Sequence, residues 1–456
     1  MKHLWIKVAF LVAGFAGQGG CSDEEVTGAG AGATGGGGGT AGTAGSGGTA
    51  DSSAGTAGSG GAAGSSGGSG GSGGTAGAEA GPPPLNPRRI VAAQRRGADG
   101  GGVVRRLLVA GTDYQTKTEV ATLDLGTSRV TGSVSFDDGD AVPDASNGHA
   151  FVLERSNDRV HLLSSEGEID KTIDVTAAPT GAAVDPENKA YVLLYNTSRI
   201  AVVDLDAGVL ARGVNLGAFA EPQDSDGAVD MDDAVIVPGT ERMYLVLGRF
   251  DRTTIAAPSF QLACQSWPAL LVGVDTATDS TVDLNGTAEG HAIELSLVSP
   301  TGMHFDEVNN RLLILNSGCF TAGEGGSRRV RHGIEAVDLA TGTASVVLEP
   351  ADESFLNRLI VLGAGEAALN SFDDLGDELW HRWSVGSPAL GPELSGVPAA
   401  PSFDGRAALI GVAFTTNDGS TTASVVSYTL DGTTTALADS PWTGSFSASS
   451  GSALVE

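Results

Sequence analysis

Basic residues are scarce in this 456-residue chain, and cysteine is almost absent. Lys and Arg total 26 against 55 Asp and Glu, which gives a formal net charge of −29 at pH 7. A surface this acidic repels nucleic acid and anionic lipid headgroups, so nucleic acid is excluded as a partner. Residues 1–84 carry two lysines and five carboxylates, a net −3, which leaves −26 of the −29 for the remainder of the chain.

Motifs of known catalytic sites are also lacking. Residues 85–456 contain no Gly-x-Ser-x-Gly nucleophile motif, and the seven histidines show no His-Glu-x-x-His or paired metal spacing. The run Leu359–Ala368 contains half of a dinucleotide-binding fingerprint, but the residues after it do not continue a helix. Its spacing fits a β-hairpin instead. The sequence therefore favours a non-catalytic protein.

The N-terminus has the layout of a secretory leader. Lys2 and Lys7 give it a positive start, and an apolar run follows at 8–16. This run is too short to span the roughly 30 Å of hydrocarbon in a bilayer as a helix. Its proportions are those of a signal peptide.

Small or polar residues at 17–20 lead directly to Cys21. This arrangement resembles the lipobox of bacterial lipoproteins, with Gln18 standing where that family usually has Leu. The resemblance implies that Cys21 is acylated and becomes the mature N-terminus, anchoring the chain to a membrane by lipid alone. Ser22 after the cysteine favours the outer membrane, facing the periplasm or the cell surface. The alternative is an ordinary secreted protein that is cleaved elsewhere.

A Gly-rich segment follows the leader. Thr27–Gly81 holds 25 of the 68 glycines and no aromatic residue, so it cannot bury enough apolar surface to offset the entropy of ordering. We expect a flexible tether with a reach of roughly 40 Å. The predicted organisation is a signal peptide at 1–20, a lipidated cysteine and disordered linker at 21–84, and a folded domain at 85–456.

With Cys21 assigned to lipid, two cysteines remain. Cys264 and Cys319 would lie in an oxidising compartment, which predicts one disulfide between them. There is no Cys-x-x-Cys motif and no further cysteine to complete a metal site.

The folded domain consists of short β-type runs separated by Gly, Asp, Asn and Pro, with no long amphipathic helix. The clearest unit is Pro179–Val214, which divides into four strands joined by short turns. Relatives of its second strand recur at intervals of 40 to 69 residues, near Leu107, Ala150, Ala190, Met243, Leu312, Ala367 and Ala408. This repeat predicts an all-β fold, a β-propeller with seven four-stranded blades, because stacking such sheets radially buries their faces.

The number of blades depends on how the ring closes, so six or eight blades are the alternatives. Ser445–Val455 has the pattern of a strand that pairs with blade one, and Arg88–Ala93 competes for the same role. We expect the propeller to be a monomer.

One repeat carries a family resemblance. The unit at 179–205 resembles the YVTN-type repeat of lactonase-like and quinoprotein-like propellers. The residues that carry the resemblance are Pro179-Thr180-Gly181, Asp185, Tyr191-Val192 and Val202-Val203-Asp204-Leu205. Pro300-Thr301-Gly302 with Asp306 partly repeats the pattern. The resemblance supports the propeller and specifies no activity.

If the strands of each blade are labelled A to D, the B–C links and the D–A links between blades share one end of the ring. The two largest insertions are predicted B–C links, Asp251–Pro268 with Cys264 and Gly318–Gly333 with Cys319. Acidic clusters fall in D–A links, at 137–140 and 221–233. This end is the predicted functional face, since binding residues concentrate on loops.

Two groups on this face are candidate ligand sites. Asp224, Asp226, Asp230 and Asp232 offer hard oxygens that suit Ca²⁺, although the bidentate Glu of an EF-hand is missing. A solvated acidic loop is the alternative. Arg328, Arg329 and Arg331 form a basic island that suits an anion or an acidic partner. A long hairpin balanced by neighbouring carboxylates is the alternative there.

These features favour a propeller lipoprotein of the cell envelope that acts as a non-catalytic binding or scaffold module, with an envelope protein or small ligand on the elaborated face. The alternative is an extracytoplasmic hydrolase or lyase of the lactonase-like type, which needs His, Glu and Asp side chains converging at the channel mouth. His304, in a predicted inner strand, is a candidate for such a cluster.

Overall fold

The computed structural model describes residues 106–225, 227–251, 263–286, 291–323, 326–350, 355–363, 365–372, 378–403, 408–417, 420–444, 446 and 448–455. Regular structure in these ranges is β-strand, apart from two single 3₁₀ turns at Arg155–Asn157 and Gly217–Phe219. The predicted all-β fold is therefore confirmed. The predicted leader, Cys21, the linker and Arg88–Ala93 lie outside these ranges. No helix in the described residues is long and apolar enough to cross a membrane.

The first half of the ring is built from strands that follow one another closely along the chain. They are β1 (Arg106–Thr112), β2 (Thr118–Asp124), β3 (Arg129–Phe136), β4 (Ala141–Ser146), β5 (His149–Glu154), β6 (Arg159–Leu163), β7 (Ile169–Asp174), β8 (Pro179–Val184), β9 (Lys189–Leu194), β10 (Arg199–Asp204), β11 (Val209–Asn215), β12 (Met231–Ile236), β13 (Arg242–Leu247), β14 (Leu270–Asp275), β15 (Ser280–Val282) and β16 (Ile293–Glu294).

The second half contains one inserted hairpin and ends in the strand that closes the ring. Its strands are β17 (Pro300–Asp306), β18 (Arg311–Asn316), β19 (Cys319–Gly323), β20 (Gly326–Val330), β21 (Gly333–Asp338), β22 (Thr343–Leu348), β23 (Phe355–Gly363), β24 (Glu366–Phe372), β25 (Glu378–Ser384), β26 (Ala399–Phe403), β27 (Ala408–Asn417), β28 (Ser420–Thr429), β29 (Thr434–Asp439) and β30 (Ala448–Val455).

These strands form seven antiparallel sheets arranged in a closed ring, and β19 and β20 form a separate two-stranded sheet. Blade one has the order β30-β1-β2-β3, and the inner strands of the other six blades are β4, β8, β12, β17, β23 and β26. Each inner strand lies beside the inner strands of the two neighbouring blades, and β26 returns to β30. The seven-bladed propeller is confirmed. Its closing strand comes from the C-terminal segment predicted to pair with blade one.

Two blades depart from the regular four strands at their outer edge. In blade four this edge is shared by β15 and β16, which pair with different halves of β14. In blade six the fourth strand is reduced to one antiparallel bridge between His381 and Glu393. Backbone hydrogen bonds from Arg382 to Pro392 and from Leu394 to Trp380 flank this bridge. In the described residues, the split or reduced strand of these two blades therefore lies at the outer edge, where a strand has a neighbour on only one side.

Burial is greatest in the second strand of a blade and lowest in the outermost strand. In blade three, Ala190–Leu194 of β9 are all buried, whereas six of the seven residues of β11 are exposed. Second strands are sandwiched between neighbouring blades, which is why they read as continuous apolar runs rather than alternating ones. The hydrophobic core accordingly consists of layers between adjacent blades.

Turn chemistry sets the register within the blades. Asn147-Gly148 joins β4 to β5 with both residues at positive φ, as a two-residue hairpin turn requires. Where the third strand ends, an Asp carboxylate accepts a hydrogen bond from the backbone N–H three residues later. The four donor–acceptor pairs are Thr127–Asp124, Ala207–Asp204, Thr278–Asp275 and Thr341–Asp338. The Asp of the Val-Val-Asp-Leu motif is thus a turn cap.

The hairpin prediction for Leu359–Ala368 is also confirmed. β23 and β24 pair antiparallel across this segment, with Leu359 opposite Leu369 and Val361 opposite Ala367. Gly365, at φ +84, turns the chain between the two strands. The glycines that imitate a cofactor fingerprint therefore make a turn.

Candidate functional site

The B–C and D–A links emerge together at one end of the ring, which we call the elaborated end. The largest B–C links are 248–269 in blade four and 317–332 in blade five, and the latter contains the hairpin β19–β20. The acidic D–A links 137–140 and 221–230 lie at the same end. The predicted distribution of insertions and acidic links is therefore confirmed.

One detail of that prediction was wrong. Asp232 and Asp233 belong to the inner strand β12 rather than to the acidic link. The reason is Met231, which is 6% exposed and pairs with Leu247, so the strand begins before the two carboxylates. Asp233 consequently lies in the wall of the ring.

The predicted disulfide is confirmed at the elaborated end. Cys264 and Cys319 are bonded, with their Cα atoms 4.9 Å apart. Cys319 is almost fully buried, and the Cys264 N–H donates to the Phe320 carbonyl at 3.2 Å. Ala263 and Phe320 form an adjacent parallel bridge. The insertions of blades four and five are thus joined into one surface.

Buried carboxylates hold the acidic link against the insertion of blade four. Asp230 is 2% exposed and accepts a hydrogen bond from the Phe250 N–H at 2.8 Å. Asp251 accepts one from the Ser225 hydroxyl at 2.9 Å. Arg249 donates to the carbonyls of Phe219 and Pro268, which reinforces the same contact. Several acidic groups here therefore have a structural task.

The predicted Ca²⁺ ligands are placed as follows. Asp224 and Asp230 are buried in the D–A link, and Asp232 lies in β12. Asp226 lies outside the described residues. Among the residues that are described, no three His, Cys, Asp or Glu side chains are grouped so that they could hold a metal ion. Calcium binding stays a prediction.

The predicted basic island lies on the inserted hairpin. Arg329 donates to the Ser317 carbonyl at 2.6 Å, and its guanidinium carbon lies 4.4 Å from the Phe320 ring centroid. Arg331 donates to the Ser296 carbonyl at 3.1 Å. Arg328 belongs to β20, and its side chain lies outside the description. Two of the three arginines thus help to seat the hairpin, and anion binding by the three stays a prediction.

Two fully buried glutamates anchor D–A links at this end. Glu335 of β21 accepts hydrogen bonds from the N–H groups of Ser296 and Leu297 at 2.9 to 3.1 Å. Glu119 of β2 accepts in the same way from Thr443 and Gly444, at 2.8 and 3.1 Å. Burial disfavours ionisation of Glu119, but these N–H groups and the Thr443 hydroxyl outweigh it and lower its pKa. Each carboxylate fixes the link that leads into its own blade.

We expect Glu335→Ala to lower the free energy of unfolding by about 2–3 kcal/mol, because it removes the charged acceptor of two N–H groups, of which that of Leu297 is buried. Glu335→Gln should cost less, since its carbonyl oxygen still accepts one of these bonds. The exposed Glu307→Ala is the matched control and should change stability by less than about 0.5 kcal/mol. Urea unfolding followed by circular dichroism measures all three, and equal losses for Glu335→Ala and Glu307→Ala would contradict the anchoring role.

Inside the ring, two aspartates link neighbouring inner strands. Asp144 of β4 accepts from the Ala182 N–H of β8, and Asp233 of β12 accepts from the Met303 N–H of β17, at 2.8 and 2.7 Å. Each donor is the residue directly after a Pro-Thr-Gly run, which ends at Gly181 in blade three and at Gly302 in blade five. The residue after the repeated tripeptide therefore donates its N–H to a carboxylate of the preceding blade.

These two carboxyl groups are strongly perturbed. Burial raises the pKa of Asp144 to about 7, although hydrogen bonds from the N–H groups of Ala182 and Ala145 act to lower it. The charge of Asp233 adds to the rise. Burial likewise raises the pKa of Asp233 to about 6. Both groups therefore change charge near neutral pH, where ordinary aspartates stay ionised.

This perturbation predicts that the protein is more stable at pH 5 than at pH 8. The folded-state pKa values lie above the ordinary 3.8, so the stabilisation is complete below about pH 4 and is lost as the pH rises through 6 and 7. Lower net charge at pH 5 acts in the same direction, so variants are needed to separate the two effects. Asp144→Asn should reduce the stability difference between pH 5 and pH 8 by an amount on the order of 2 kcal/mol.

Asp170→Asn is the matched control, because it removes an equal charge from the exposed strand β7. Denaturant unfolding of the unaltered protein and of the two variants at both pH values gives three stability differences between pH 5 and pH 8. If the two variants showed the same pH dependence, the buried aspartates would not be its source.

A further polar group lies nearer the elaborated end of the channel. Tyr114 donates to the Ser449 carbonyl at 3.0 Å. Burial raises the pKa of Tyr114, with smaller effects from the charges of Arg358, Asp140 and Arg155. Asp140 is paired with Arg155. The elaborated end of the channel therefore carries polar contacts of blades one and two.

Sequence reasoning missed Asp144, Arg358, Glu119 and Glu335. The signal for Asp144 and Asp233 was present, since each Asp-Ala pair stands in the inner strand of the blade before a Pro-Thr-Gly run. For Arg358 no comparable pattern exists, because its environment is made by other blades.

No protein-family model matches the sequence, and no curated protein matches it either. Similar solved structures include the β-propeller domain of Myceliophteria thermophila Cps50 (Swd1), at 12% identity over 66% of this chain and 91% of that chain, with a TM-score of 0.45. A Lactobacillus plantarum protein is 12% identical over 77% of this chain and 99% of its own, with a TM-score of 0.46. A protein of unknown function from Bacteroides caccae is 13% identical over 64% and 93%, with a TM-score of 0.39. Likenesses this distant do not bear on function, and the propeller rests on the strand pairing itself.

Proposed function

We propose that this protein is a lipid-anchored, non-catalytic binding module of a bacterial cell envelope, a YVTN-like propeller that presents its elaborated end to a partner. The observation that carries the proposal is the Cys264–Cys319 bond, which joins two insertions on adjacent blades into one surface. Such a cross-link between loops preorganises a binding face, because less freedom is lost on association. Disulfides persist in oxidising compartments. The proposed leader and anchor would place the protein in such a compartment.

The anchor is tested by labelling. Cells that express the full chain and are grown with radiolabelled palmitate should yield a labelled protein in the membrane fraction. Cells that express the Cys21→Ser variant should yield an unlabelled protein. Absence of label from the unaltered protein would refute the lipoprotein assignment and leave the binding face untouched.

The binding face is tested by site-specific photo-crosslinking in living cells. A photoreactive residue at Gln115, exposed in the B–C link of blade one, should give adducts with an envelope protein. The same residue at Val308, which is 73% exposed in the A–B link of blade five at the opposite end, should not. Adducts of equal yield at the two positions would contradict a binding face at the elaborated end.

The lactonase-like hydrolase is the second candidate, and one observation favours it. Asp144 and Asp233 have raised pKa values inside the channel, and such groups are frequent at catalytic sites. This candidate predicts hydrolysis of a simple lactone such as γ-butyrolactone by the full chain, abolished by Asp144→Asn and retained by Asp170→Asn. A rate equal to that of buffer alone would remove it.

A further inference from the structure

A cavity of about 210 Å³ opens where the inner strands of blades four, five and six meet. Its walls include Thr301 and Met303 of β17, Asn357 and Arg358 of β23, and Leu315 of β18. The lining thus combines apolar side chains with a few polar groups, the carboxyl group of Asp233 and one permanent positive charge. This mixture is typical of sites for small molecules.

Arg358 is the unusual member of this lining. It is half-buried, and its guanidinium makes no hydrogen bond or ion pair with any residue that the structure describes. Burial has the largest effect on the pKa of Arg358 and lowers it, whereas electrostatic interactions with Glu378 and Tyr114 raise it. A guanidinium stays protonated in proteins, so this site holds a charge that no described residue neutralises by direct contact.

The neighbouring polar groups are occupied elsewhere. Glu378 accepts hydrogen bonds from the side chains of Asn370 and Trp380, each at 3.0 Å. The Tyr114 hydroxyl donates to the Ser449 carbonyl. The two carboxylate oxygens of Asp233, which also lines the cavity, accept from the N–H groups of Ala234 and Met303. None of these contacts brings a partner to Arg358.

A second group in the cavity wall is unsatisfied. The Thr301 hydroxyl is buried and has no hydrogen-bond partner in the described part of the chain. A buried hydroxyl without a partner costs free energy that a bound ligand can recover. The Arg358 guanidinium and the Thr301 hydroxyl can therefore both donate hydrogen bonds to an acceptor bound between blades five and six.

We propose that this cavity binds a small organic carboxylate, with its anionic group on Arg358 and its apolar part against Met303 and Leu315. The planar guanidinium fork matches a carboxylate in two parallel hydrogen bonds. The apolar lining favours a short hydrocarbon body over an inorganic anion. The volume is below that of sites for drug-sized molecules, which limits the ligand to a few carbon atoms. This inference concerns the channel and is independent of the lipid anchor and of the elaborated end.

Titration calorimetry on the full chain at pH 7 tests the proposal, with butanoate, succinate, benzoate and inorganic phosphate as probes. At least one carboxylate should bind more tightly than phosphate. Arg358→Gln should weaken that binding at least tenfold, and Arg358→Lys should weaken it less, because the charge remains while the fork is lost. The exposed Arg129→Gln on β3 should leave it unchanged.

Thermal unfolding separates this role from a structural one. Without ligand, Arg358→Gln should melt at the same temperature as the unaltered protein or higher, because it removes a charge that no described residue neutralises by direct contact. The proposal is overturned if no carboxylate at 10 mM gives heat or a melting shift. It is equally overturned if Arg358→Gln binds as well as the unaltered chain, if phosphate binds more tightly than every carboxylate, or if Arg358→Gln melts several degrees lower.

Discussion

Deletion of residues 448–456 is expected to abolish cooperative folding. β30 supplies the inner strand of blade one and pairs with β1 from Arg106 to Thr112. It also lies beside the inner strands β4 and β26, so its loss removes the contact that closes the ring. Leu107, Leu108 and Val109 of β1, which have no exposed surface, would then form an open edge.

The size of this effect follows from the marginal stability of folded domains. Total stability is about 5–15 kcal/mol, and losing an inner strand with its two inter-blade contacts removes a comparable amount. We expect the truncated chain to show no sigmoidal thermal transition by circular dichroism and to be digested by protease at concentrations that spare the full chain. A synthetic peptide of residues 446–456 should restore part of the protection.

The matched control is deletion of Arg88–Ala93, the competing segment for ring closure. β1 already pairs with β2 on one side and β30 on the other, so it has no free edge for this segment. That deletion should leave the melting temperature unchanged. A truncated chain that melts like the unaltered protein, or a collapse caused by the control deletion, would refute closure by β30.

The fold was largely predictable because its determinants are local. Each second strand is buried on both faces and therefore reads as an apolar run, as at Ala150–Leu153 and Ala190–Leu194. The turns carry their own chemistry, such as Asn147-Gly148. Seven such sheets can bury their faces against one another by packing side by side in a closed ring. The disulfide followed from the two cysteines other than Cys21, which stand in equivalent links of adjacent blades.

The interior of the ring could not be predicted in the same way. Asp144 meets Ala182 across 38 residues of sequence, and Asp233 meets Met303 across 70. These contacts depend on the relative twist and offset of neighbouring blades, which no local pattern encodes. The same is true of Arg358, because only the assembled ring shows that no acceptor among the described residues reaches it. Candidate sites built by several blades therefore need coordinates, whereas the blades themselves do not.

Loss of the disulfide should lower the free energy of unfolding without disrupting the ring of blades. Cys264 and Cys319 are separated by 55 residues, and closing a loop of that length restricts the unfolded chain by an entropy worth about 4 kcal/mol. Both cysteines lie in insertions outside the blade sheets, so strand pairing in the ring is left intact. We expect Cys264→Ala/Cys319→Ala to unfold cooperatively, with a free energy of unfolding about 2–4 kcal/mol lower.

Reduction provides the matched control for this pair of substitutions. Dithiothreitol should lower the stability of the unaltered protein to that of the double variant and should leave the double variant unchanged, as measured by urea unfolding. The buried position of Cys319 makes the distinction informative, because a packing defect left by Cys319→Ala would lower stability without responding to reductant. If reduction had no effect on the unaltered protein, the bond would not stabilise the fold. The order of the elaborated end would then rest on its other contacts, such as the hydrogen bonds of Arg329 and Arg331 and the buried carboxylates, and removing Glu335 would become the larger perturbation.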